Sequence, residues 1–482
     1  MTDLDRVLAE MELKAPNHAI AWRYYDGDHP LVFSNDKLAV VFDAQRLRFV
    51  ENWIAVAANA VIDRLILTGF TIADDERAGE ELNRIFDQDR WASLAGEIHQ
   101  SVVVTGEGYV VAQDDGTGEV EAYSQSPANC AVLYDPLHPK RAVCAAKRFR
   151  DQEAERWRLY LYFPDRTERY ISSGKDAGAS KAFQPDPEEP VVPNATGLLP
   201  MFHYAVDRRR IRADFADIVP LQDAINKQFA DLMVVADAAA FPLRWAISAA
   251  DMTLPKVRPG DFIVIPGAAG DEQATTVGQF APASLSIYND SKEKLAHALA
   301  SIQRTPRHYF SDTAGQPSGE ALQAMEAPLV KKVERFMDRL AGTWCALASY
   351  ALRLRGLQVP ASAITVNWET ARTVQTVSQA QARLTNKNAG IPIVTQLRDE
   401  GWRDAELDQM AQDAQAEKGP AELMGADPAA QDATSAVAAQ NLAPLIEQVV
   451  TTIGDIALAK ILEGDTLDRV IAAKRAEATA NG

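Results

Sequence analysis

The sequence predicts an α+β chain, mostly helical, and three observations carry that prediction. Apolar residues recur at spacings of three and four around 47–65, 218–235 and 322–351; short β-rich runs separated by turn residues fill 101–171; and a small β island stands alone between two helical stretches. With 482 residues, 47% of them hydrophobic and 24% charged, the composition is that of an ordinary globular protein. At roughly 150 residues per domain, about two to four domains are expected.

Taken in order, the elements follow from local chemistry. Residues 1 to about 100 read as helical, with Leu47, Val50, Ile54, Ala57, Val61 and Leu65 on one stripe that Thr68-Gly69 ends, glycine suiting a left-handed C-terminal position. The period then changes. Val102-Val103-Val104, residues 109–112 and residues 120–123 read as strands, with Gly106-Glu107-Gly108 as a hairpin bend and Asp115-Gly116-Thr117-Gly118 as a turn. Residues 157–163 and 168–171 bracket Pro164-Asp165-Arg166 and extend the strand block, and 173–200, rich in Ser, Gly and Pro, reads as a surface loop.

Ile218, Leu221, Ile225, Phe229, Leu232 and Val235 predict a helix over 217–240, with Asp217 placed to cap it. After Pro242 the β island runs from Asp261 to Val277, and a second helix covers 286–304. A loop with two prolines and a glycine, 305–318, precedes the strongest helical signal, 318–354, which at 1.5 Å per residue is roughly 50 Å long. Pro328 inside it predicts a kink, since the pattern continues in phase on both sides. Beyond Thr376 the composition turns to Ala, Gln and Asp; 411–440 reads as linker-like and 442–476 as a helix.

Several function classes are excluded. The 49 Lys+Arg against 67 Asp+Glu give a formal charge of −18, which argues against a protein built to grip nucleic acid but not against one that DNA must pass without sticking. The acidic start, Met1-Thr-Asp-Leu-Asp, lacks the basic and apolar regions of a secretory signal, so no export is expected. The most apolar stretches are broken by Asp63, Arg64, Asp231, Asp237 and Arg244, so no membrane segment is expected. Cys130, Cys144 and Cys345 are odd in number and far apart, which makes a disulfide scaffold or a zinc ribbon a poor reading. A P-loop is absent, the glycines at 106 and 108 lack a third, and the seven histidines include no His-Glu-x-x-His and no i,i+4 pair. Asp26-Gly27-Asp28 reads as a turn, since the rest of a calcium loop is missing. No catalytic residue, cofactor or metal is therefore expected.

Two basic groups remain. Arg208, Arg209, Arg210 and Arg212 form the densest cluster; a solvated loop or salt bridges are its bland account, and a patch for nucleic acid or an acidic neighbouring subunit is its functional one. Arg304, Arg307 and His308 are more suggestive, because they sit in the loop between two long helices.

The segments Tyr24-Tyr25-Asp26-Gly27-Asp28-His29-Pro30-Leu31, Asn59-Ala-Val-Ile-Asp63-Arg64-Leu65 with Gly69-Phe70, Asp217-Ile-Val-Pro220-Leu221-Gln222-Asp223-Ala224-Ile225-Asn226 and Ser318-Gly319-Glu320-Ala321-Leu322, in this order and spacing, carry a likeness. The chain resembles the portal protein of tailed double-stranded DNA bacteriophages, the siphophage-type family of actinobacterial phages. The likeness covers most of residues 20–355 and extends beyond 376 in character only. It implies a portal-type architecture with a long kinked helix: wing over 1–216 and 319–376, stem helices at 217–240 and 286–304, clip over 241–285, tunnel loop over 305–318 with Arg304, Arg307 and His308 facing DNA, and crown over 377–482.

The resemblance further implies a homo-oligomeric ring, usually of twelve subunits, at one capsid vertex of the virion, assembled in the host cytoplasm and without enzymatic activity. Its partners would be the major capsid and scaffolding proteins, the terminase large subunit, which is the packaging ATPase, the head-to-tail adaptor, and double-stranded DNA passing non-specifically. Twelve helices side by side at about 9 Å make a clear bore of roughly 24 Å, and a B-form duplex about 20 Å across would pass. Twelve copies carry on the order of −200 charges, which would keep phosphates from adhering to most of the wall. The β island could tie neighbours together by strand addition. Two alternatives stand beside this reading: a soluble cytosolic enzyme with dispersed catalytic residues, which a deep pocket of titratable groups with displaced pKa values would favour, and another head-neck minor capsid protein, against which the long helix and its preceding loop argue.

Overall fold

A capping box starts the chain. Thr2 accepts from the Asp5 backbone N–H at 3.2 Å while the Asp5 carboxylate accepts from the Thr2 N–H at 2.8 Å, and α1 (Asp3–Tyr25) follows. This computed structural model describes residues 2–30, 50–73, 75–114, 116–172, 182–240, 244–248, 262–266, 276–281, 284–310, 319–372 and 383–399, with 407 and 410. Within α1, Val7, Leu8 and Met11 are buried against Leu159, Leu161 and Phe183 of a six-stranded sheet, so the first half of the helix is held by a core of its own.

The main core lies further along. Its helices are α2 (Trp53–Ile62), α3 (Glu76–Gln88) and α4 (Trp91–Thr105), with β1 (Leu67–Ile72) between the first two. Then come β2 (Glu107–Asp114), β3 (Val120–Gln125), β4 (Cys130–Tyr134), β5 (Ala142–Asp151), β6 (Arg156–Tyr162), β7 (Arg166–Ser172), β8 (Phe183–Pro185), β9 (Val191–Pro193) and β10 (Met201–Ala205). Strands β10-β2-β3 form one antiparallel sheet, with His203 opposite Tyr109. Strands β4 to β8 form the six-stranded sheet in sequence order, with β9 also pairing β7.

Helices α5 (Val219–Ala240) and α6 (Ser286–Gln303) run antiparallel alongside each other: Gln228 donates to Ser291 Oγ at 2.8 Å, while Asp214, just before α5, accepts from Gln303 at the far end of α6. Between them lie β11 (Arg244–Ser248), β12 (Phe262–Pro266) and β13 (Thr276–Gln279), a sheet ordered β12-β11-β13 with a parallel and an antiparallel pair. Gly278 faces Trp245 across it, and a Cβ there would lie 2.5 Å from the indole ring. Helix α7 (Gly319–Leu354) is continuous through Pro328, and Leu329, Val333, Phe336, Leu340, Trp344, Leu347 and Ala351 are buried along one face as the spacing predicts. Strand β14 (Ile364–Trp368) returns to pair antiparallel with β1.

Several expectations are corrected. Val102-Val103-Val104 belong to α4, not a strand; all three are buried, and packing on every side overrides their β preference. Gly106-Glu107-Gly108 is consequently not a hairpin bend. Gly106, at φ 94°, caps α4, and a Cβ there would lie 2.4 Å from the Arg212 backbone nitrogen, so only glycine fits. The helix expected to run to Thr68-Gly69 ends at Ile62, and Gly69 sits at a bulge in β1, a strand whose partner lies far along the chain. The first hundred residues are therefore not wholly helical. In the expected loop 173–200, the described part holds β8 and β9, whose Pro185 and Pro193 stand at sheet edges. Asp217 does not cap α5; it lies in a 3-10 turn and accepts from Arg212 at 2.7 and 2.6 Å.

Residues 31–49, 311–318 of the proline loop, the linker-like 411–440 and the helix expected over 442–476 lie outside the described residues. The chain divides into two units, Met1–Thr385 and Asn386–Gly482, the second described mainly at α8 (Ile393–Asp399), where Leu397 is buried.

Candidate functional site

Residues that the sequence scatters meet at the head of α5. Gln222 and Asn226, four apart and so on one face of the helix, are both buried, and they serve the backbone that opens α2. Gln222 accepts from the Trp53 N–H at 3.1 Å and donates to the Glu51 carbonyl at 2.5 Å; Asn226 Oδ1 accepts from the Glu51 N–H at 3.1 Å. The bond to Trp53 satisfies an N–H group that a helix start would otherwise leave orphaned, and those to Glu51 fix the residue that leads into the cap Asn52. With its oxygen so engaged, Asn226 donates through Nδ2 to His29 Nδ1 at 2.8 Å, and the ring donates through Nε2 to the Tyr24 carbonyl at 2.7 Å. Tyr24 in turn donates to Asp223 at 2.9 Å, and Tyr25 to Asn59 at 2.8 Å. From α6, Lys292 pairs with Glu51 and lies over the Trp53 and Phe229 rings.

The loop after α6 is fixed at its foot by two further nodes. Arg304 takes the left-handed conformation, φ 60°, and ends the helix, while the Thr305 N–H bonds back to the Ala300 carbonyl at 3.0 Å. Immediately before it, Gln303 Nε2 and Lys332 Nζ of α7 both donate to Asp214 Oδ2 at 2.5 Å, and Lys332 also reaches the Gln303 carbonyl at 3.2 Å. Burial draws the Lys332 ammonium below the ordinary lysine range, against the pull of Asp214. At the second node Tyr309 accepts from Arg64 at 2.9 Å and donates to Glu326 at 3.4 Å, and Phe310 packs on Trp53 at 5.8 Å.

Of the residues singled out in the sequence, Arg304 and Arg307 are exposed at this foot and form no ion pair among the described residues; His308 is half-buried with its ring edge-on to Tyr309. Arg212 is spent on Asp217 and Arg208 covers the Tyr134 ring at 4.9 Å, while Arg209 and Arg210 are solvent-exposed. The two groups are linked through Asp214, which the sequence did not single out. Neither Gln303 nor Lys332 was expected to matter; the one readable signal was polar residues on otherwise apolar helical faces, as at Gln222 and Asn226.

Comparison with known proteins settles the family. The family described as "Phage portal protein, SPP1 Gp6-like" matches residues 4–420. The chain belongs to this phage portal family. It is similar to portal proteins of Mycobacterium phage D29 (30% identical over 141 residues, 28% of this chain and 29% of the relative) and Mycobacterium phage L5 (34% over 86 residues, 17% and 18%). The alignments thus span less than a third of each relative's length. Among solved structures it is similar to a chain in the virion of the native gene transfer agent particle, 14% identical with TM-score 0.41, covering 78% of this chain and 96% of that one. A chain in the neck of the empty gene transfer agent particle, computed with C6 symmetry, gives 14% and 0.41 over 77% and 92%.

This portal family member also holds a buried ionic cluster. Glu107, fully buried, faces Lys14 Nζ at 2.8 Å, His203 Nε2 at 2.9 Å, the Tyr109 hydroxyl at 2.9 Å and His18 Nε2 at 3.4 Å. Burial alone would raise its carboxyl, but the His203 hydrogen bond and the Lys14 charge outweigh it and hold the group at about 2. Beside it, between α1 and residues 211–219, lies a cleft of about 330 Å³ lined by Lys14, His18, Tyr24, Thr105 and Phe215 among others. The cluster's charges are engaged with one another, which pins α1 to β2 and β10 of the portal chain. Among the described residues, no group of three or more His, Cys, Asp or Glu could hold a metal ion, and no helix is long and apolar enough to cross a membrane.

Proposed function

We propose that the chain assembles into a ring, of twelve copies on the family pattern, at one capsid vertex of the virion, and serves as a conduit for double-stranded DNA during packaging and ejection without catalysing a reaction. In this reading α5 and α6 are the stem, residues 241–285 the clip, 305–318 the tunnel loop, 1–216 with 319–376 the wing, and 377–482 the crown. The clip faces the packaging ATPase and later the head-to-tail adaptor, and the wing meets the capsid and scaffolding proteins.

One observation carries the reading. In a chain with a formal charge of −18, Arg304 and Arg307 stand exposed and without an ion pair among the described residues, at the end of a paired stem whose foot is fixed by Asp214, Lys332, Tyr309 and Glu326. Acidic surroundings repel phosphates, and sparse cations at one level touch them weakly, which is what a sliding contact requires. The clip fits the same picture: Ile247, Ile263, Ile265 and Val277 of its small sheet are exposed, and an outer strand of that sheet can pair with a neighbour's.

Imaging of the purified full chain by negative stain tests the ring. Annular particles are expected, and monomers alone at assembly concentrations would overturn it. For the conduit, Arg304→Gln with Arg307→Gln should weaken binding of a random-sequence duplex to the annuli and flatten its dependence on salt concentration. An unchanged salt dependence would remove these residues from the DNA path.

A further inference from the structure

The middle of α7 carries its charges in segregated stripes. Leu329, Val333, Phe336 and Leu340 face the core. Lys331, Arg335 and Arg339 follow one another at i,i+4 on one flank of the remaining arc, and Glu334 and Asp338, also i,i+4, lie on the other. At 3.6 residues per turn the two stripes are centred about 80° apart, one on each side of the exposed ridge. All five side chains are exposed, and among the described residues none of them forms an ion pair.

Opposite charges three or four residues apart support a helix and like charges weaken it. Every i,i+4 step in this stretch joins like charges, and the two i,i+3 steps that join opposite ones, Lys331 to Glu334 and Arg335 to Asp338, are not closed into ion pairs among the described residues. The helix thus presents a cationic flank and an acidic flank that are not spent on each other. We propose that the two flanks of α7 are the two halves of a contact between successive copies of this chain: Lys331, Arg335 and Arg339 of one copy meet Glu334 and Asp338 of the next. The contact is head-to-tail, each copy offering a different flank to each neighbour, which is the interface type that closes into a ring. The same stretch of helix supplies both halves, so three cations and two carboxylates stand at the same rise when neighbouring helices lie side by side. Gly342, on the same exposed ridge with open space where a Cβ would project, leaves room for a neighbouring backbone. The inference rests on the ring reading above and assigns part of the surface that would hold the ring together.

The test uses two full-length variants. Lys331→Glu with Arg335→Glu and Arg339→Glu makes both flanks acidic, and Glu334→Lys with Asp338→Lys makes both basic. Each alone should give at least about tenfold fewer annuli than wild type, the sum of a few exposed pairs per contact. An equimolar mixture should restore them, because the two variants alternate around the ring, and added salt should thin the wild-type annuli. Either variant assembling at wild-type yield overturns the proposal, as does failure of the mixture. If the acid-flanked variant assembles normally but loses affinity for duplex DNA, the cations are a phosphate contact and the proposal falls in favour of that one. Absence of annuli from the wild type removes the ring reading itself, an outcome distinct from these. Thermal melting checks each fold. Where a variant melts early, Arg335→Glu and Asp338→Lys are mixed and read by the same criterion.

Discussion

The polar joint at the head of α5 and the small sheet β12-β11-β13 lie at opposite ends of the same helix, and they are built on opposite plans. At the joint, Gln222, Asn226 and His29 are buried and each satisfies a neighbour from a distant part of the chain, so the folded chain completes it alone. In the small sheet, Ala246 is buried, but Val277 is 58% and the adjoining Phe280 50% exposed, apolar surface that the described chain does not cover. A change at the joint should therefore register as lost stability of one chain. A change in the sheet should register only when copies meet.

The largest effect that would sharpen this contrast is at the loop foot, which shares the joint's plan. Lys332→Met leaves Asp214 without its cation in a largely buried site and should cost about 3–5 kcal/mol in urea unfolding. Acid should act next. His99 is buried, its Nδ1 donating to the Leu65 carbonyl at 2.7 Å and its Nε2 accepting from the Trp344 indole at 3.2 Å, so the folded core holds the neutral ring. Burial lowers its pKa from 6.5 to about 4. The unfolded chain thus takes up this proton first, and stability present above pH 6.5 should fall between pH 6.5 and about 4, by about 3 kcal/mol from this group. His99→Gln, followed over the same range by thermal melting, should lose much of that dependence.

At the joint itself, His29→Ala orphans a buried Asn226 donor and should cost about 2 kcal/mol. The smallest effect on a single chain belongs to the sheet. Val277→Ser with Phe280→Ser should change monomer stability by no more than about 0.5 kcal/mol, while reducing annuli in negative stain. A loss of monomer stability as large as that of His29→Ala would break the comparison.

What the sequence disclosed follows the same division. The helices α6 and α7 were legible almost to the residue, because an amphipathic period is a local property that one buried face reinforces. Strands β2, β3, β6 and β7 were legible for a related reason, being bounded by glycine and proline turns. What escaped was non-local. Strand β1 exists because β14 pairs with it, β8 and β9 are three-residue edges, and β11 needs two partners that follow it. Val102-Val103-Val104 misled because burial on all sides erases periodicity. At the site, Arg304 and Arg307 stood out as charges in a loop, whereas Asp214, Gln303 and Lys332 are unexceptional singly and acquire meaning only through their proximity.

That proximity narrows to a single atom. Asp214 Oδ2 receives both the Gln303 amide and the Lys332 ammonium, so three stretches of chain are strung on one oxygen. A pull on the cationic foot that follows Gln303 would thus be felt at once by α7 and by the arginine-rich segment leading into α5. Trading that carboxylate for an amide would keep the shape yet give up the charge on which both donors converge, and the knot would loosen at all three strands together.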